Sequence, residues 1–224
     1  MKGLSPMSVL FISAFGAAFC FTARQDPSTI WQNSQNLSKY QMAWTSLNKS
    51  ENIIYHQVKA TSLVSGRFQS QKGSILWTNY TCWNVKNYDL DQEQKTARRH
   101  YNALRTATNH IHFFKEPVKA VSALNYSTGN ALQYEFTSRN LAQTSSEESS
   151  EESRTKVDPV IFTDGMTCDL LSVPRTNDGK GCELWVNDIY KNDIPLCCAF
   201  IFDLLCAEAG SYEVYNNRTC RDER

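Results

Sequence analysis

The sequence predicts an all-β barrel with a helix at each end. Two observations carry this expectation. Apolar residues recur near helical spacing at the start of the chain, switch to a period of two, and return to helical spacing after Pro195. The period-two runs are short and separated by residues that favour turns, which is the pattern of a sandwich or barrel. No internal repeat and no second-domain boundary interrupts the chain.

Taken in order, Asp26-Pro27 supplies an N-cap and a proline suited to a first helical turn. Ile30, Leu37, Tyr40, Trp44 and Leu47 then form a stripe that reads as core packing. From Ile53 the side chains alternate: Ile54, His56, Val58 and Ala60 share one face, and Ile53, Tyr55 and Gln57 the other. Trp77, Asn79, Thr81, Trp83 and Val85 form a second alternating face. Further strands are expected at 95–107, 110–115, 118–125, 131–137, 160–163, 168–173 and 183–187. Residues 125–130, rich in Asn, Ser, Thr and Gly, suit a hairpin turn. Residues 144–153 are an acidic, serine-rich run with no apolar surface to bury, and are expected as a loop. Between Pro195 and Ala209, Leu196, Phe200, Ile201, Leu204 and Leu205 follow helical spacing, and Gly210 is placed to end that helix. In a barrel alternate residues face inward, and an eight-stranded one has room for one small ligand.

Residues 1–20 read as a secretion signal. Lys2 supplies the positive start, the apolar run 9–19 is too short to span a membrane, and Gly16, Ala18 and Cys20 offer two cleavage frames. Residues 21–224 are then expected as one secreted domain. Lys and Arg number 23 and Asp and Glu also 23, so charge gives no case for nucleic acid or an anionic membrane as partner. In an oxidising compartment Cys82, Cys168, Cys182, Cys197, Cys198, Cys206 and Cys220 are read as disulfide partners. Their number is odd, so either one of Cys197 and Cys198 is left over or Cys20 survives as a partner. Irregular spacing without a Cys-x-x-Cys pair argues against zinc, and His110 and His112 have no evident third ligand. Sequons at Asn36, Asn48, Asn79, Asn125 and Asn217 suit a glycosylated secreted protein. No Gly-x-Ser-x-Gly, His-Glu-x-x-His or glycine-rich phosphate loop is present, so neither catalysis nor a cofactor is expected.

The chemistry concentrates in Cys168-Asp169-Leu170, Glu183-Leu184-Trp185-Val186 and Cys198, which put two acids and a Trp on two strand-like runs with cysteines close by. An acid beside an aromatic ring suits a small cation, because the acid supplies charge and the ring a π-face. Read alone, Asp169 and Glu183 also fit exposed strand positions, Glu116 a solvated turn before Pro117, and Trp185 ordinary core.

With Ala43-Trp44-Thr45-Ser46-Leu47, Asn79-Tyr80-Thr81-Cys82, Val118-Lys119-Ala120-Val121, Tyr134-Glu135 and Ile194-Pro195 in this order, the chain resembles the tick histamine- and serotonin-binding lipocalins over nearly all of its mature length. The resemblance implies an eight-stranded antiparallel lipocalin barrel made in salivary gland. It implies a monomeric scavenger of host mediators rather than an enzyme, with histamine or serotonin held inside the barrel. Carried over by position, the ligand residues are Tyr101, Glu116, Tyr134, Asp169, Glu183 and Trp185. It also implies the pairs Cys82–Cys220 and Cys182–Cys206, with Cys168 joined to Cys198 or Cys197. Ser50, Ser62 and Leu132 depart from the amine-binding pattern, so one amine site or two, or a different ligand, stays open. The alternatives are a scavenger of leukotriene- or thromboxane-type lipid mediators and a barrel-scaffold inhibitor of a host protein such as a complement component.

Overall fold

The structure, a computed structural model, describes residues 29–69, 73–136 and 154–220. The expectations for residues 1–20, for Asp26-Pro27 and for 144–153 lie outside these.

Among the described residues ten strands form one antiparallel sheet: β1 (Tyr55–Ala60), β2 (Val64–Gln69), β3 (Ile75–Asp91), β4 (Thr96–Arg105), β5 (His110–Val121), β6 (Ala131–Phe136), β7 (Arg154–Thr163), β8 (Cys168–Val173), β9 (Gly181–Asn187) and β10 (Tyr212–Glu213). Eight of them close a lipocalin-type barrel in the order β1-β9-β8-β7-β6-β5-β4-β3, and β3 returns to β1 through Tyr55↔Val85 and His56↔Asn84. The other two extend it, β2 on the first half of β3 and β10 on β1. Closure leaves few unpaired edges, which is how a small all-β domain avoids edge-to-edge association.

Alternation sorts the side chains into two cores. On β9, Cys182, Leu184 and Val186 join the outer cluster, while Trp185 joins the inner one. On β8, Cys168 and Leu170 lie outside and Leu171 inside. The inner cluster also takes Tyr55, Val85, Ala97, Tyr101, Val118, Leu132 and Tyr134.

The strand pattern departs from the expected one at two proline- or bulge-related points. The expected strands 110–115 and 118–125 are a single strand, β5, running through Pro117, which pairs with Arg98. The face expected from Trp77 to Val85 is broken at Cys82, which has φ 54° and sits where the β3–β4 register shifts between Thr81 and Asn84. Before that bulge Thr78 and Tyr80 are buried; after it Val85 is, and Trp77 stays exposed. The extra residue reverses the parity, so a strict count of two carries the wrong residues inward.

The N-terminal helix is shorter than the stripe suggested. A 3-10 turn at Ser38–Tyr40 precedes α1 (Ala43–Leu47). Gln41 interrupts the path: its buried side chain donates to the carbonyls of Trp31 and Ile161 and accepts from Tyr126 Oη. Ala43 and Leu47 of α1 pack into the inner cluster, so this helix plugs the barrel. Asn87 Nδ2 donates to the carbonyls of Ser46 and Leu47, satisfying groups that the helix C-terminus leaves open.

Disulfides join Cys82 to Cys220, Cys168 to Cys198 and Cys182 to Cys206, and Cys197 is free and exposed. The last two bridges pin α2 (Leu196–Leu205) to the outer face of β8 and β9. They turn Cys198, Phe202 and Leu205 inward. Leu196, Phe200 and Leu204, part of the helically spaced set, face solvent. Gly210 does not cap α2. It lies beyond the 3-10 turn Ala207–Ala209 with φ +125°, where an added Cβ would come within 2.8 Å of the Thr61 carbonyl oxygen.

Candidate functional site

The barrel interior holds a cavity of about 180 Å³. One wall is aromatic. Trp83 stacks on Phe114 with centroids 5.5 Å apart, meets Tyr101 edge-on at 6.2 Å, and Tyr101 in turn meets Trp185 at 6.1 Å. These rings come from β3, β5, β4 and β9, and each occupies an inward position of its strand.

Charged side chains share the lining. Glu183 on β9 and Glu116 on β5 face the cavity. Glu183 Oε2 accepts from the Trp185 indole at 3.1 Å. Among the described residues neither acid has an ion-pair partner. Burial pushes the Glu183 carboxyl above its ordinary value, the Asp158 carboxylate adds to this, and Arg175 and the Trp185 N–H oppose it. Glu183 is partly buried and lines the cavity. Glu116 is likewise raised by burial, with the Tyr101 hydroxyl and Arg99 opposing. Asp158 on β7 differs, because its carboxylate is bonded by Arg175.

Arg99 on β4 is the hub. Its side chain is buried, its Nε donates to Asn87 Oδ1 at 3.1 Å, and its Nη1 donates to the hydroxyls of Tyr134 at 3.1 Å and Tyr101 at 3.4 Å. In register it faces Glu116 across the β4–β5 pair. Lys156 on β7 and Arg175 complete the cationic lining.

The structure therefore brings five of the six expected ligand residues to one cavity: Tyr101, Glu116, Tyr134, Glu183 and Trp185. Asp169 is placed elsewhere. It lines a second, much smaller pocket of about 10 Å³, where Lys49 Nζ lies 2.6 Å from its Oδ2. Trp185, Leu171 and Arg99 form walls of both spaces. Arg99, Lys156, Asp158 and Arg175 were not anticipated from sequence. The signal for Arg99 was available, since it shares a period-two face with Ala97 and Tyr101. Lys156 and Asp158 fall in the part of β7 that precedes the expected start at 160.

All five sequon asparagines, Asn36, Asn48, Asn79, Asn125 and Asn217, are exposed. No cluster of three or more His, Cys, Asp or Glu able to hold a metal occurs among the described residues.

A closed eight-stranded barrel with a ligand-sized interior and a helix plugging it is the architecture of a lipocalin. The family model of the tick histamine-binding proteins matches residues 31–222, and the chain belongs to that family. It is similar to the male-specific histamine-binding salivary protein of Rhipicephalus appendiculatus, 28% identical over 223 residues, spanning 96% of this chain and 97% of the relative. It is also similar to female-specific histamine-binding protein 1 of the same tick, 23% identical over 213 residues and spanning 94% and 97% of the two chains. Among solved structures it is similar to Japanin from Rhipicephalus appendiculatus bound to cholesterol, with a TM-score of 0.48, 14% identity, and coverage of 74% of this chain and 94% of that one.

Proposed function

We propose that this protein is a secreted, monomeric scavenger that holds a host biogenic amine, histamine or serotonin, in the main cavity and so suppresses the host's inflammatory response. The observation that carries the reading is the pair Glu183 and Glu116. Both are carboxylates inside the barrel without an ion-pair partner among the described residues, in a cavity that they share with a continuous run of four aromatic rings. An ammonium placed there gains a charge-assisted bond in a poorly screened site, and an imidazole or indole ring gains an aromatic face. The named relatives are histamine-binding proteins, which agrees with this reading. Size agrees too: about 180 Å³ is small beside the roughly 300–1,000 Å³ of sites for drug-sized molecules.

The cationic lining supports a second reading. Lys156, Arg175 and Arg99 could receive the carboxylate of a lipid mediator. Titration calorimetry against histamine, serotonin and a leukotriene separates the two. The amine reading expects saturable binding of an amine, with the ligand recovered unchanged. Binding of the leukotriene alone would transfer the function to the second reading.

A further inference from the structure

The small pocket beside the main cavity has the composition of an amine receptor, and it is already filled. Asp169 Oδ2 accepts from Lys49 Nζ at 2.6 Å and from Ser46 Oγ at 2.7 Å, while Thr163 Oγ1 donates to Oδ1 at 2.6 Å. The Lys49 ammonium lies 3.4 Å from the centroid of the Tyr55 ring. A carboxylate oriented by two hydroxyls and faced by an aromatic ring is what a free ammonium would require. Here the ammonium arrives on the chain's own side chain, which enters directly after α1 and is 4% exposed. The remaining space, about 10 Å³, is at most enough for a single water.

We infer that this pocket is an amine site occupied by Lys49 as a built-in ligand, so that the barrel takes one free amine and not two, and that truncating Lys49 opens the pocket to small alkylammonium ions. The count of one rests on the amine reading of the main cavity; the receptor character of the small pocket does not. The fit is with primary alkylammonium. Lys49→Ala removes three methylenes and the ammonium, a gap that matches n-propylammonium.

The test is thermal unfolding of Lys49→Ala with n-propylammonium chloride, with 1-propanol as the neutral isostere, and with sodium chloride at equal ionic strength. At about ten times its Kd, the ammonium should raise the midpoint by about 3–6 °C, and the alcohol and the salt should not. The effect should vanish in Lys49→Ala/Asp169→Asn. Should Lys49→Ala fail to fold in plain buffer, refolding yield in the same three solutions gives the same reading, with recovery expected only in the ammonium. Equal effects of ammonium and alcohol, or an ammonium effect that survives loss of the Asp169 charge, overturn the inference. Calorimetry with histamine on wild type is expected to show one bound amine, and two would overturn the count. Propylammonium rescue without any amine binding by wild type would leave the Lys49 pocket standing and remove the amine reading of the main cavity. Amine binding by wild type without rescue would do the reverse.

Discussion

Asp169 and Glu183 lie on paired strands, in register with Trp185 and Leu171 respectively, and both side chains point into the barrel. What separates them is the cation each one sees. Asp169 is paired with Lys49, whereas Glu183 accepts from the Trp185 indole and feels Arg175 and Arg99 only at longer range. Glu183→Gln keeps the shape and an acceptor for that indole but removes the charge. If Glu183 meets a bound amine, the substitution should weaken amine binding by about 2–4 kcal/mol, roughly thirty- to a thousand-fold, measured by calorimetry. Glu93→Gln, on an exposed turn, is the control and should change nothing. At this scale the sequence was legible in its acids and aromatics, because strand parity and motif together place them. The bases were not. Lys49 reads as the middle of a sequon, and nothing local says that its side chain turns inward. That depends on where α1 ends and on a carboxylate 120 residues away.

Among the elements, α1 has the most consequence for the site. It is five residues long, too short to hold itself as a helix in water, so its place depends on what it packs against. Ala43 and Leu47 anchor it by burial, and Asn87 anchors it by bonding its last carbonyls. The same Asn87 accepts from Arg99, one of the three residues that wall both cavities. Asn87→Ala should therefore leave three buried polar groups without this partner, destabilise the fold by about 2–4 kcal/mol in urea unfolding, and also reduce ligand affinity. Unchanged affinity in a destabilised Asn87→Ala would show that Arg99 keeps its position without Asn87. Gly210 is a second element-scale constraint. Its φ of +125° and its approach to Thr61 leave no room for a Cβ, so Gly210→Ala should cost about 1–3 kcal/mol with little effect on binding. Strands were legible in β4, β8 and β9, where alternation is unbroken, but β2 was not expected. They were misread where a backbone irregularity intervened, at the Cys82 bulge and across Pro117. An alternation count cannot register an inserted residue, and a proline in a strand reads as an end. The rotation of α2 was hidden for a different reason: its stripe Leu196, Phe200 and Leu204 is apolar, but the bridges at Cys198 and Cys206 decide which face meets the sheet.

For the molecule as a whole, the cavity acids set stability and binding against each other with pH. Glu183, Glu116 and Asp158 all have carboxyls raised above their ordinary values, in each case first by burial. In the window between the ordinary and the raised values, the folded state binds more protons than the unfolded chain. By linkage, stability then falls as pH rises through that window, because the empty barrel must ionise acids that it does not solvate well. Asp188 and Asp164 act at lower pH and with the opposite sign. Burial works to raise each, but Lys191 and His56 for the first, and the backbone N–H groups of Thr167 and Met166 for the second, outweigh it and hold them below their ordinary values. Their contribution is lost only as pH falls through those lowered values. Amine binding needs the ionised carboxylate, so affinity should rise with pH across the window in which the empty protein loses stability. Thermal midpoints of wild type and Glu183→Gln, empty and with saturating amine, check both halves. Empty Glu183→Gln should be the more stable protein near neutral pH, and the gap should close toward acid as wild type protonates. The rise in midpoint that amine gives wild type should shrink over the same interval. A Glu183→Gln that is less stable than wild type near neutral pH would mean that the carboxylate serves the fold, through Trp185 or Arg175, and is not held in reserve for a cation.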